Sequence, residues 1–195
     1  MPLTRTELDV YRPIKVILGH IHKPFDSERV TYPGSPCPLH INETGPRRML
    51  FLDTETGDVH SQSLDAVRIY FNEMITLIPG PDEWKRLEQQ FDQLVNRWKQ
   101  QIPDSQYVRI RLRFQGFTSD KSQLAMLVDK TFKEFKYYQD EGPDFQDVFV
   151  ADDPKLSSLS EEAIKAVLEQ PFKADVYDPD SRAIIYHALK TIYGE

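Results

Sequence analysis

Two histidines, His20 and His22, are the residues of this 195-residue chain best suited to chemistry. They follow the apolar run Ile14-Lys15-Val16-Ile17-Leu18 through Gly19. A strand that ends in two imidazoles two positions apart is a rigid platform for a divalent cation. Neutral imidazole suits manganese, iron and zinc alike. Paired ions at such a platform can clamp a phosphodiester and activate water. The same spacing also occurs as plain surface polarity, and spacing alone does not separate the two readings. His40, His60 and His187 stand in no ligand-like pattern, and no other residue is nominated as catalytic.

A second candidate is the ladder Arg109, Arg111, Arg113, interleaved with Val108, Ile110, Leu112 and Phe114. Period two places the arginines on one strand face and the apolar residues on the other. Such a ladder is either a solvated face paired with acids on a neighbouring strand or a set of phosphate contacts. Arg47, Arg48 and Lys23 are weaker candidates for phosphate contact. The paired acids Asp152-Asp153 and Glu161-Glu162 read as turn and helix-start charge. The single cysteine, Cys37, cannot form an internal disulfide. It reads as a packed thiol in a reducing cytoplasm.

Regular elements must position these groups. The run Ile14 to Leu18 has the pattern of a strand buried on both faces. Such a strand needs neighbours that residues 1–12 are too few to supply, so further chain is expected before it. A strand at Arg29–Tyr32, a proline-rich loop over 33–46 and a hairpin over 48–64 follow, with Gly57 in the turn. One or two strands are expected from Val67 to Ile78. Trp84, Leu87, Phe91, Leu94, Val95 and Trp98 recur at helical spacing and mark a core-facing helix that Pro103 ends. The arginine strand comes next, then a helix over about 119–135 and a closing strand at Lys136–Tyr138. Beyond a linker at 141–144, Val148–Val150 reads as a strand. Ser160 is expected to open a helix that Pro171 closes, and Asp178-Pro179 to open the last one. These two helices either pack back on the body or await a partner.

Charge and length exclude some classes. A net charge of −7 argues against a domain that binds nucleic acid by bulk charge, though not against a local basic patch. No apolar run approaches membrane-spanning length, and residues 1–12 lack the apolar core of a signal peptide.

The ordered set Ile17-Leu18-Gly19-His20-Ile21-His22-Lys23-Pro24, then Val30-Thr31-Tyr32-Pro33-Gly34-Ser35, then Phe51-Leu52-Asp53-Thr54-Glu55-Thr56-Gly57 resembles the calcineurin-like metallophosphoesterases. Within them it is similar to the SbcD-type exonucleases of DNA double-strand-break repair. The resemblance is specific over residues 13–58 and looser over 65–140. It implies an α/β (α+β) chain with three parts. These are a remnant of the metallophosphoesterase β-sandwich at 1–64, a small α/β capping domain at 65–140 and a helical tail at 141–195. It further implies that His20 and His22 each ligate one of two manganese ions. Arg109, Arg111 and Arg113 of the cap would contact DNA, and the tail would meet an SbcC-like coiled-coil ATPase. The family's other ligand motifs precede Gly-His-x-His and do not occur in this chain. Gly57-Asp58-Val59-His60 and Ile41-Asn42-Glu43-Thr44 lie in hairpin and loop contexts and do not replace them. The expectation is therefore the C-terminal portion of such a nuclease, catalytically incomplete alone. The alternative is a non-catalytic protein-interaction module of the same origin. Open strand edges in the first 64 residues further predict homo-oligomerisation.

Overall fold

The computed structural model describes residues 6, 9–10, 15–64, 68–102, 104–151, 154–169 and 181–194. The class is mixed α/β, with nine strands and four α-helices among the described residues. The chain divides into two compact units, residues 1–72 with 101–109, and residues 73–100 with 110–195.

The first unit holds two small sheets. Strands β1 (Val16–Ile17), β2 (Phe25–Asp26) and β3 (Val30–Tyr32) form one, in the order β1-β3-β2. β1 runs parallel to β3, and β2 antiparallel to it. Strands β4 (Arg48–Leu52) and β5 (Val59–Ser63) form an antiparallel hairpin in which Phe51 faces His60. Its turn is set by Asp53, whose carboxylate accepts the N–H groups of Glu55 and Thr56, and by Gly57 at φ +79°.

The expected strand buried on both faces is corrected here. β1 covers only Val16–Ile17, and Ile17 is 40% exposed. β1 is an edge strand, paired on one side only among the described residues. Cys37 is also exposed rather than packed.

The second unit is built on a four-stranded sheet. Strand β6 (Ile69–Leu77) pairs with β7 (Val108–Thr118). β7 also pairs with β8 (Lys136–Tyr137) and, in parallel, with β9 (Asp144–Val150). Helices α1 (Glu83–Gln101) and α2 (Lys121–Phe132) supply the core. The helical periodicity of α1 buries Leu87, Phe91, Val95 and Trp98. Phe91 lies 5.2 Å from Phe132 and 6.1 Å from Phe114, ring centre to ring centre, in inclined geometries that favour aromatic pairs. Buried Glu83, in the first turn of α1, accepts hydrogen bonds from the Thr118 hydroxyl and the Ser119 N–H. Those bonds tie α1 to the end of β7. Asp120 caps α2 by accepting the N–H groups of Ser122 and Gln123. Gly116, at φ +109°, admits no side chain, since a Cβ would collide with the Leu77 carbonyl of β6.

The C-terminal elements join this unit. β9 extends the sheet beside β7, so the strand expected at Val148–Val150 starts at Asp144. Helices α3 (Pro154–Glu169) and α4 (Ser181–Tyr193) pack together and back onto the sheet end. There Ile185 and Leu189 are buried against Phe117. α3 begins six residues before the expected Ser160, at Pro154, whose fixed φ suits a first helical turn. Ser160 is instead buried mid-helix, donating to the Leu156 carbonyl. Glu161 and Glu162 are exposed mid-helix charges rather than helix-start charges. Ile14, Val67, Pro103, the Asp152-Asp153 pair, Pro171 and the Asp178-Pro179 cap lie outside the described residues.

Candidate metal centre and nucleic-acid interface

β1 delivers the histidine pair. Leu18 N–H donates to the Thr31 carbonyl of β3, and then the chain turns. The Ile21 N–H donates to the Gly19 carbonyl at 3.0 Å, and His20 at the centre has φ +75°. A γ-turn with positive φ is the rare, strained form. A non-glycine residue persists there only when its surroundings hold it. His20 and His22 are both exposed, and the His22 side chain is 45% accessible.

His22 is the better held of the two. Its carbonyl accepts the Ser35 N–H at 3.0 Å and Arg47 Nη1 at 2.9 Å. Its ring Nδ1 lies 2.8 Å from Glu43 Oε1. Glu43 Oε2 accepts the Ser35 hydroxyl at 3.0 Å and the Leu39 N–H at 3.1 Å. Arg47 is 1% exposed; its Nη2 donates to the Glu43 carbonyl and its Nη1 also reaches Ser35 Oγ. The run Tyr32-Pro33-Gly34-Ser35 thereby gains a physical role, as a clamp on His22. Gly34, at φ +81°, lies so close that a Cβ would come within 2.8 Å of the Pro24 ring and 2.9 Å of the His22 carbonyl.

Glu43 is the residue that sequence reasoning passed over. Its loop context sets Ile41-Asn42-Glu43-Thr44 aside in the sequence, whereas the Glu43 carboxylate meets a histidine 21 positions away. No local pattern carries such a pair. Burial pushes the Glu43 carboxyl up, but hydrogen bonds from His22, the Leu39 N–H and Ser35 outweigh it and hold the group down at about 2. Arg47 and Arg48 are likewise corrected as phosphate contacts. Arg47 is buried in this network, and Arg48 is committed to both oxygens of Asp26.

Among the described residues, no group of three or more His, Cys, Asp or Glu is arranged to hold an ion. What the site does present is one exposed imidazole on a strained turn and a second whose Nδ1 meets a carboxylate.

The arginines of β7 alternate with buried Val108, Ile110, Leu112 and Phe114, as their period requires. Their guanidinium groups have different partners. Arg109 donates to the carbonyls of Gln106 and Val108. Arg111 makes a two-pronged bond to Glu141, at 2.6 and 2.9 Å, and lies over the Tyr138 ring. That bond with Glu141 raises the Arg111 pKa further. Arg113 Nε is buried and has no hydrogen-bond partner among the described residues. Arg111 and Arg113 line an open cleft of about 710 Å³ with Glu141, Asp144 and Phe145. Two acids balance two bases there, so the cleft is not a strongly positive surface.

Comparison with models of known protein families finds no match, and comparison with curated proteins finds none.

Proposed function

We propose that this chain carries the last metal-ligand motif and the DNA-positioning cap of a metal-dependent DNA exonuclease of the SbcD type. His20 and His22 would hold one manganese-type ion each. Bound ions at such a motif supply Lewis-acid polarisation of a phosphodiester and an activated water. The chain's own contribution is to fix the two imidazoles, through the γ-turn at His20 and the Pro-Gly-Ser clamp on His22. With two ligands of a larger set it is catalytically incomplete by itself. Arg113, followed by Arg111 and Arg109, would contact the phosphate backbone. The C-terminal helices, which leave Leu159 and Leu168 exposed, would meet a coiled-coil ATPase of the SbcC type. The setting is the cytoplasm; among the described residues no helix is long and apolar enough to cross a membrane.

The observation that carries this reading is the Glu43–His22 pair. A carboxylate behind a metal-binding histidine is the usual arrangement in metalloproteins, and a plain surface histidine has no need of one. Calorimetry with manganese on the full chain and on His20→Ala tests it. Saturable binding that the substitution abolishes supports the reading. No binding by the full chain removes it.

One observation favours the second reading, a non-catalytic interaction module. The β4–β5 hairpin holds Met49, Phe51 and Leu52 exposed, Phe51 at 51%. Such a patch serves association between chains. Light scattering on the full chain and on Phe51→Ser tests the patch: self-association lost in the variant places it on this hairpin, and a monomeric full chain removes that role.

A further inference from the structure

We infer that the cleft walled by Arg111, Arg113 and residues 141–146 holds one unpaired nucleotide of a DNA strand, with its phosphate on Arg113, its base ring against Phe145 and a base N–H donated to Asp144. The inference rests on the reading of β7 as a DNA contact and names the part of the DNA that it takes. Charge points to this class of ligand. Arg111 is engaged at both prongs by Glu141. The Arg113 guanidinium is not, and its buried Nε has no hydrogen-bond partner among the described residues. A native donor is seldom left in that state. One such cation matches the single charge of a phosphodiester. Glu141 and Asp144 offset the two arginines, so attraction to phosphate alone is weak here and a second source of binding is required. One oxygen of Asp144 accepts the Gln146 N–H. The carboxylate has further acceptor sites, which suit the amino group of a base.

The backbone is irregular at this cleft and regular on either side of it. Asp144 of β9 pairs with Arg113 and Asp147 with Gln115, so three steps along β9 match two along β7. Such a bulge re-aims side chains and is common next to functional sites. Phe145 and Gln146 lie within it and line the cleft. Just before it, Gln139 and Asp140 are successive non-glycine residues with left-handed φ, +52° and +57°. Strain of that kind persists only where the surroundings hold it, and it gathers at ligand clamps. Phe145 is half-buried, and its ring stacks on Phe114 with centres 4.9 Å apart. That contact fixes the ring as a wall, and every base has a flat face to lay against it. A cleft of about 710 Å³ admits a whole nucleotide.

Fluorescence anisotropy of the full chain with three short DNA duplexes tests it. One is blunt, one has a single-stranded overhang, and one has the same overhang built of abasic nucleotides. The natural overhang is expected to bind about 5–100-fold more tightly than the other two, as one stacked base requires. An abasic overhang that binds as tightly as the natural one shows that phosphate alone is held and overturns the inference. That arm needs no variant to fold. Phe145→Leu keeps an apolar side chain against Phe114 but loses the flat ring, and it is expected to remove most of the preference. Asp144→Asn, a change outside the core, is expected to weaken the preference as well, so the location is tested even if Phe145→Leu folds poorly. A preference that survives both substitutions places the base elsewhere and overturns the inference. Equal binding of all three duplexes overturns it while the DNA-contact reading stands. No binding of any duplex removes that reading and the inference with it.

Discussion

Arg47, 1% exposed, donates from Nη1 to the main-chain carbonyl of His22 at 2.9 Å. A buried cation is costly to keep, and burial lowers its pKa. Here the guanidinium serves as the post on which the histidine turn and the Glu43 loop are both hung. Arg47→Met is expected to destabilise the first unit by about 2–4 kcal/mol, because it removes the hydrogen bonds that the buried guanidinium donates to the His22 and Glu43 carbonyls. Arg47→Lys is expected to restore little, since an ammonium cannot fork to two carbonyls at fixed angles. Denaturant unfolding of the full chain, followed by hydrogen exchange in residues 20–47, measures both.

Gly34 makes an independent test of the clamp. A Cβ there meets the Pro24 ring and the His22 carbonyl inside contact distance, at a φ that disfavours side chains. Gly34→Ala is expected to cost about 2–3 kcal/mol and to displace the His22 ring. Gly45 also has positive φ but has open space around it. Gly45→Ala is therefore expected to cost only about 1 kcal/mol. Thermal melts of the two variants side by side give the difference.

His20 occupies the strained centre of the γ-turn. His20→Gly is expected to be more stable than His20→Ala by about 1 kcal/mol, because glycine alone adopts this φ without strain. If the turn relaxes in solution, the two variants melt together.

The pH dependence follows from Glu43. Its folded-state pKa, about 2, is below the ordinary glutamate range. A depressed acid contributes stability that is fully present above its unfolded pKa and is lost as pH falls through the folded one. The first unit is therefore expected to weaken as pH falls from about 5 towards 2. Glu43→Gln is expected to be less stable at neutral pH and to flatten this part of the profile. Unfolding free energies at several pH values, with and without the substitution, check the slope.

Among the arginines of β7, Arg113 is expected to matter most for DNA. Arg111 is already neutralised by Glu141, whereas Arg113 Nε has no hydrogen-bond partner among the described residues. Arg113→Glu is expected to lower DNA affinity and to reduce the salt slope of binding by about one. Arg111→Glu is expected to change affinity less. Equal effects, or none, in fluorescence titrations at several salt concentrations would remove the DNA-contact role.

Much of the architecture was legible in the sequence because it rests on local rules. Strict alternation along Val108–Phe114 gave a strand with arginines on one face. Three-and-four spacing from Leu87 to Trp98 gave a helix with a buried stripe. The γ-turn lies where the two histidines close the first strand, and Gly57 stands in its hairpin turn. Periodicity and turn chemistry act over a few residues, so a single chain displays them.

What the sequence left open depends on partners far along the chain. The apolar run before Gly19 looked like a strand buried on both faces, but burial is set by which strands lie beside it, and among the described residues β1 pairs only with β3. The C-terminal helices pack onto Phe117 because β9 places them at that sheet end. Ser35 and Glu43 reach His22 across 13 and 21 positions, and buried Arg47 reaches it across 25. A hydrogen bond between two side chains depends on distance in space, which composition and spacing do not encode. The sequence by itself determined that there is a histidine motif at a strand end. Only the tertiary structure decided which carboxylate stands behind it.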